Sequence, residues 1–161
     1  MDKIYLGKVI TTHGIKGEIR ILSNFKYKKE AFKIGNELII NDEVLHIKSY
    51  RVHKNYDMIT FTEYDNINDV LKYMKSKVYI DRKYLCDVEY LDEDLIGMDV
   101  VFNTQVVGRI KGIENISKNP LIAISINNEI KYVPNNKEFI ENIDFKENKV
   151  YIKYVEGLLW W

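Results

Sequence analysis

Residues 3–22, KIYLGKVITTHGIKGEIRIL, contain two strand-like runs that meet at one short connection. Both runs are rich in β-branched and aliphatic residues, which favours extended strands. Between them, Gly14 and Gly17 stand three residues apart, and glycine accepts the left-handed backbone that a tight turn requires. The stretch therefore predicts a tight β corner at the start of an all-β fold.

Short strands continue along the rest of the chain. Runs such as ELIIN, EVLHIKSY and DMITFTEY in the first half, and MDVVF, LIAISI and KVYIKYV in the second, are separated by Gly, Asn and Asp. Regular short strands with turn signals are typical of barrels and sandwiches. In the second half, Asn127 and Asn128 tolerate the positive φ of a tight turn, so INNEI predicts a hairpin.

One segment, DNINDVLKYMKSK at residues 65–77, breaks the strand pattern. Its apolar residues recur at helical spacing: Ile67, Val70, Leu71 and Met74. Asn66 precedes them in the position that a helix N-cap takes. The segment predicts one short helix that plugs or flanks the first half.

The two halves of the chain differ in charge although the formal net charge of the whole is zero. Residues 1–88 carry 16 Lys and Arg against 12 Asp and Glu, a net +4, and residues 89–161 carry 8 against 12, a net −4. This asymmetry suggests two surfaces with different partners, and two solvated faces are the alternative. The acidic stretch DVEYLDED between the halves is the expected linker. We therefore predict domains at 1–86 and 94–161, joined by a linker at 87–93.

The composition argues against several classes of protein. Cys86 is the single cysteine, which excludes a disulfide framework within the chain and fits a reducing compartment. The start, MDKIYLGKVI, lacks the apolar core of a signal peptide, and no apolar run approaches the roughly 20 residues of a membrane helix. We expect a soluble, cytoplasmic protein.

Catalytic and metal-binding residues are not expected. Cys86 has no histidine near it in sequence, and no Gly-x-Ser-x-Gly elbow occurs. His13, His46 and His53 could meet in space, but their spacing matches no metal motif. The sequence therefore predicts a non-enzymatic protein with no cofactor and no metal.

The connection at 13–20 is a candidate contact surface. Its spacing excludes a P-loop, and its strand flanks exclude a KH loop, which joins helices. Gly14 and Gly17 expose backbone amides, Lys16 and Arg20 add positive charge, and His13 can stack or donate. Such a loop can meet a phosphate or an acidic protein surface. The alternative is a corner where only glycine fits.

A second basic segment, YRVHKNY, places Arg51, His53 and Lys54 between two tyrosines. Aromatic residues interleaved with cations suit the stacking and charge contacts of RNA recognition. A hairpin tip of solvated side chains is the alternative.

The linker and the tail contain candidate apolar contacts. Tyr90 and Leu91 form an aromatic–aliphatic pair flanked by acidic residues, a pattern typical of a protein-binding anchor if the pair is exposed. A segment that packs on the second domain is the alternative. The last four residues, LLWW, are expected either to cover an open barrel end or to bind a partner.

Several segments resemble one family, RimM, a ribosome maturation factor of the bacterial small subunit. In the first half, the resemblance lies in GKVITTHGIKGEIRI, RVHKNYDMITF and DNINDVLKYMKSKVYI. In the second half, it lies in DLIGMDVVFNTQVVGRIKGI, YVPNNKEFIENID and EGLL. Together these segments span nearly the whole chain in the family's order.

The resemblance implies two β-barrels, the first like the second domain of translation factors and the second a PRC-barrel. It also implies binding to the precursor of the 30S subunit near its head, through 16S rRNA surroundings and the nineteenth small-subunit ribosomal protein. The implied role is in late assembly and 16S rRNA processing, without a membrane or a small-molecule substrate. The family usually carries two adjacent aromatics before Asp-Leu-Ile-Gly, whereas here Leu91 follows Tyr90. An adaptor with no RNA partner is the competing hypothesis.

Overall fold

The computed structural model describes residues 1–114 and 120–153. The chain divides into two compact units, Met1–Glu89 and Tyr90–Trp161. The division falls within the segment 87–93, for which the acidic sequence predicts a linker. The apolar tail of the sequence lies outside the described residues.

The first unit is a closed six-stranded barrel with the strand order β1-β2-β5-β4-β3-β6. Its strands are β1 (Lys3–His13), β2 (Glu18–Leu22), β3 (Glu37–Ile40), β4 (Glu43–His53), β5 (Tyr56–Phe61) and β6 (Lys77–Asp81). Its helices are α1 (Lys28–Ala31) and α2 (Ile67–Val70), with 3-10 turns at Leu71–Tyr73 and Arg82–Leu85. All neighbouring pairs in the barrel are antiparallel, and closure leaves the sheet without free edges.

Buried aliphatic residues alternate with more exposed residues along the strands, and the buried ones fill the barrel. In β2, Ile19 and Ile21 are fully buried, and in β6 Val78 and Ile80 are fully buried. Side chains two residues apart share one face of a strand, so each strand contributes a row of aliphatic groups to one core. The strand pattern read from the sequence is confirmed in this unit.

The predicted helix is present but shorter and differently oriented than its apolar pattern indicates. The side chain of Asn66 caps α2 by accepting a hydrogen bond from the backbone of Asn68. Val70 and Tyr73 are the buried residues of this segment, while Leu71 is 44% exposed. The reason is that the helix tightens into a 3-10 turn after Val70, which aligns residues three apart rather than four.

The second unit contains a six-stranded sheet with the order β10-β9-β8-β7-β12-β11. Its strands are β7 (Asp99–Phe102), β8 (Gln105–Glu114), β9 (Leu121–Ile126), β10 (Glu129–Pro134), β11 (Ile140–Asp144) and β12 (Lys149–Ile152), and a 3-10 turn covers Asp92–Leu95. β7 and β12 pair in parallel, and the other neighbours pair antiparallel. Leu95 lies in the core of this unit with Val100, Ile110 and Val150.

Hairpins in both units turn on pairs of residues with positive φ. The predicted Asn127–Asn128 turn has φ values of 51° and 66°, as a type I′ turn requires. The same geometry occurs at Asn41–Asp42, Lys54–Asn55 and Asn103–Thr104. The INNEI hairpin is confirmed, and three further hairpins use the same device without glycine.

Candidate nucleic-acid interface

The barrel brings together the two basic segments that are separate in sequence. β1 ends at His13 and β2 follows, while β4 and β5 meet at the Lys54–Asn55 turn. Because β2, β5 and β4 are neighbours in the barrel, side chains from β1, β2 and β4 meet on its surface. We call the resulting group the cationic cluster: His13, Arg20, Arg51, His53 and Lys54.

The turn at 14–17 is shaped by backbone constraints. Gly14 and Gly17 have φ values of 70° and 85°, which glycine adopts without strain. The carbonyl of Ile15 accepts a hydrogen bond of 3.0 Å from the backbone N–H of Ile67 at the start of α2. A Cβ on Gly17 would lie 3.3 Å from the backbone of Asn66, whereas one on Gly14 would meet nothing within 4 Å. The tight glycine corner is confirmed, and it leaves Lys16 exposed at its tip.

Gly14→Val is expected to destabilise the first unit by roughly 1–3 kcal/mol, because a β-branched side chain is strained at positive φ. A Cβ at this position displaces no neighbour, so the loss of stability measures backbone strain alone. A thermal melt measures it. Gly14→Asn is the control, since asparagine tolerates the left-handed region, and equal melts for the valine variant and the unmodified chain would contradict the prediction.

Arg20 lies half-buried at the centre of the cationic cluster. Its Nη2 donates to Nδ1 of His13 at 3.2 Å, and its guanidinium carbon lies 5.2 Å from the ring centroid of Tyr56. A guanidinium only donates, so Nδ1 of His13 is the acceptor of this hydrogen bond. The Nε of Arg20 is buried and has no hydrogen-bond partner among the described residues. The aromatic and imidazole contacts hold a planar cation in place.

Arg51 is held by an acidic residue inside the cluster. Its Nε and Nη2 donate to the two carboxylate oxygens of Glu18 at 3.0 and 2.7 Å. This bidentate bond, and then the charges of Arg51, His13 and His53, hold the pKa of Glu18 below its usual range, against partial desolvation. Glu18 therefore carries a full negative charge at neutral pH.

His53 and His13 face one another with ring centroids 6.0 Å apart. Desolvation, followed by the nearby charges of Arg51, Lys54, His13 and Arg20, lowers the pKa of His53. His46 lies elsewhere, with Nδ1 2.5 Å from Glu63 and Nε2 3.4 Å from Glu37. The hydrogen bond to Glu63, together with the two carboxylate charges, raises the pKa of His46. The three histidines therefore do not gather at one site.

We expect NMR titration to give a midpoint above 6.5 for His46 and below 6.5 for His53, the ordinary value for histidine. Because folding raises the pKa of His46, its contribution to stability is present at low pH. That contribution is lost as the pH rises through the folded-state pKa. Glu63→Gln should lower the His46 midpoint and leave His53 unchanged. A common midpoint for both rings would contradict the prediction.

The Tyr90–Leu91 pair is not an exposed anchor. Leu91 is only 2% exposed, which corrects the expectation that its side chain is available to a partner. Tyr90 is half-buried against the core of the second unit, and its hydroxyl accepts from Nδ2 of Asn135 at 3.3 Å. Its ring lies 5.5 Å from the ring of Phe145, which is 44% exposed. Phe145 thus supplies a second aromatic beside Tyr90 from a distant part of the sequence, where no local pattern indicated it.

The described residues contain neither a metal-binding cluster nor a helix suited to a membrane. Within residues 1–114 and 120–153, no three His, Cys, Asp or Glu side chains are grouped so as to hold a metal ion. In that part of the chain, no helix is long and apolar enough to cross a membrane.

Comparisons with known proteins identify both units. The family model of the RimM N-terminal domain matches residues 4–85, and that of the RimM PRC barrel domain matches residues 92–158. The ribosome maturation factor RimM of Ligilactobacillus salivarius is 34% identical over 98% of this chain and 99% of its own length. That of Exiguobacterium sp. is 30% identical over 99% and 98%. A crystal structure of a RimM protein from Pseudomonas aeruginosa covers 96% of this chain and 98% of its own, with 16% identity and a TM-score of 0.47.

The chain is a two-domain β protein in which a barrel that carries the cationic cluster precedes a PRC barrel domain. It belongs to the RimM family of ribosome maturation factors. The all-β fold class and the family resemblance are confirmed. The family is one of maturation factors and not of enzymes.

Proposed function

We propose that this protein binds the precursor of the small ribosomal subunit near its head and assists late assembly and 16S rRNA processing in the cytoplasm. Its family membership over nearly the full chain supports a maturation role. The cationic cluster and the aromatic pair of the second unit supply two different contact chemistries. No cofactor or small-molecule substrate enters this function.

The first unit is proposed to contact the RNA backbone. The observation that carries this proposal is the meeting of His13 from β1 and Tyr56 from β5 at one half-buried guanidinium, that of Arg20 in β2. Phosphate contacts of this kind need positive charge held at a fixed position. The residues proposed for the contact are His13, Gly14, Lys16, Gly17, Arg20, Arg51, His53 and Lys54.

The second unit is proposed to contact a basic ribosomal protein, the nineteenth of the small subunit. Residues 89–161 carry a net charge of −4, and complementary charge steers such encounters. Tyr90 and the neighbouring Phe145 are suited as aromatic anchors. Leu91 contributes here by packing, since it is buried.

Sedimentation of the full chain with ribosomal particles on a sucrose gradient tests the proposal. We expect the protein to follow free small subunits and not assembled ribosomes. If it follows neither particle, the adaptor hypothesis without an RNA partner replaces this one. If it follows both equally, the protein is a general ribosome-binding protein and the assembly role is wrong.

A further inference from the structure

Glu18 occupies an unusual place for an acidic residue in a surface that is proposed to bind RNA. It is the first residue of β2 and lies directly across from His13 in the β1–β2 pair. Its side chain is 13% exposed, whereas that of Arg51 is 50% exposed. The carboxylate is therefore enclosed within the cationic cluster, and the guanidinium that it holds faces solvent.

The ion pair changes what Arg51 can offer to a ligand. The carboxylate of Glu18 already accepts two parallel hydrogen bonds from Arg51, at 3.0 and 2.7 Å. This fork is the same geometry that a guanidinium uses to bind a phosphate. Exchanging one bidentate anion for another leaves the number of hydrogen bonds unchanged. A phosphate that meets only Arg51 therefore gains little, and the charge of Glu18 repels it.

A ligand that also contacts the rest of the cationic cluster gains more on binding. Arg20 is held by His13 and Tyr56 and does not depend on Glu18 among its described contacts. A backbone whose phosphates match both guanidiniums can gain at Arg20 what it does not gain at Arg51. Selection of this kind works by opposing the wrong partner as much as by favouring the right one.

We propose that Glu18 is a specificity-determining residue of the RNA-binding surface. By holding Arg51, Glu18 suppresses binding to phosphate backbones in general. Binding to a ligand that contacts the whole cationic cluster is retained. This inference rests on the proposed function of the first unit, and it adds a residue whose effect on affinity is opposite in sign to that of the cations.

The test measures binding of the full chain to a labelled oligouridylate over a range of salt concentrations. Glu18→Gln keeps the size and hydrogen-bonding oxygen of the side chain and removes its charge. If Arg51 then gains one phosphate contact, the log–log salt slope steepens by about 0.7, and the affinity near 0.1 M salt rises about fivefold. Thermal melts of each variant establish that the fold is retained.

Asp42→Asn is the matched control. Asp42 forms a surface ion pair with Lys3 at 3.1 Å, so this substitution also removes one negative charge from the first unit and frees one cation. Oligouridylate affinity should change little in this variant. An equal rise for both variants would mean that net charge alone is responsible and would overturn the inference.

A second substitution tests the role of Arg51. Adding Arg51→Gln to Glu18→Gln should abolish the gain in oligouridylate affinity. Arg51→Gln alone should change the affinity less than Glu18→Gln does. A gain that persists without Arg51, or a Glu18→Gln variant that only loses stability, would overturn the inference. Sedimentation with small subunits separates the two hypotheses: if the unmodified chain follows the subunits while Glu18→Gln shows no gain, only this inference fails.

Discussion

A chain carrying Lys16→Glu together with Arg20→Glu is expected to bind the small subunit much more weakly than the unmodified chain. Each lost phosphate contact should reduce the log–log salt slope by about 0.7–0.9, so two lost contacts weaken binding on the order of 25- to 60-fold near 0.1 M salt. The reversed charges add repulsion to this loss. Titration with purified small subunits at several salt concentrations measures both quantities.

The two positions differ in their structural role, which determines the controls. Lys16 is exposed at the tip of its turn, but Arg20 is half-buried against His13 and Tyr56. A thermal melt must therefore accompany every binding measurement. The matched variant is Lys8→Glu with Lys77→Glu, a cross-strand pair of exposed lysines on β1 and β6. Lys8 lies five residues before His13, roughly 17 Å along the strand.

The outcome for the two double variants decides where the RNA contact lies. Loss of affinity confined to the Lys16 and Arg20 variant supports the cationic cluster as the contact surface. Equal losses in both variants would mean that the net charge of the first unit attracts RNA without a defined site. If the affinity and the salt slope of the Lys16 and Arg20 variant are unchanged, the 14–17 turn has only a structural role.

Local backbone chemistry explains which parts of the fold are predictable from the sequence. The glycine corner at 14–17 and the Asn127–Asn128 turn are predictable because Gly and Asn adopt positive φ at little cost. Lys54 also has positive φ, at 49°, and no local signal indicated it because lysine rarely adopts that region. There the barrel imposes the turn on the sequence, since strands β4 and β5 must reverse at that point.

The composition of the cationic cluster was predictable only in part. Residue type indicates both basic segments. Their meeting depends on β5 lying between β2 and β4, which is a property of the closed barrel. The bond between Glu18 and Arg51 spans 33 residues of sequence. Neither hairpin alone contains both partners, so local patterns carry no signal for this pair.

Leu91 illustrates a different limit of sequence-based prediction, that of side-chain burial. Acidic neighbours on both sides make the pair Tyr90–Leu91 look like an exposed anchor, and the resemblance to the family places a contact there. The structure buries Leu91 at 2% exposure and places Phe145 beside Tyr90. Burial depends on packing between segments that are distant in sequence, and the hydrophobicity of one residue does not determine it.

Tyr90→Ala is expected to weaken binding of the full chain to the purified nineteenth small-subunit ribosomal protein by about 2 kcal/mol, or about 30-fold in Kd. The half-buried ring of Tyr90 contacts Phe145 and the core of the second unit. An aromatic ring that is rigidly supported in this way loses little entropy on binding, which is typical of an interface hot spot. Phe145→Ala should weaken binding in the same direction, because it removes the exposed half of the pair.

Two further variants separate binding from folding. Tyr90→Phe keeps the ring and loses only the hydroxyl that accepts from Asn135, so it should retain most of the affinity. Leu91→Ala removes a buried side chain and should cost about 2–5 kcal/mol of folding stability, with unchanged affinity at temperatures where the chain stays folded. Calorimetric titration and thermal melts measure the two effects independently. Full binding by a folded Tyr90→Ala chain would exclude the aromatic pair and transfer the ribosomal-protein contact to another surface.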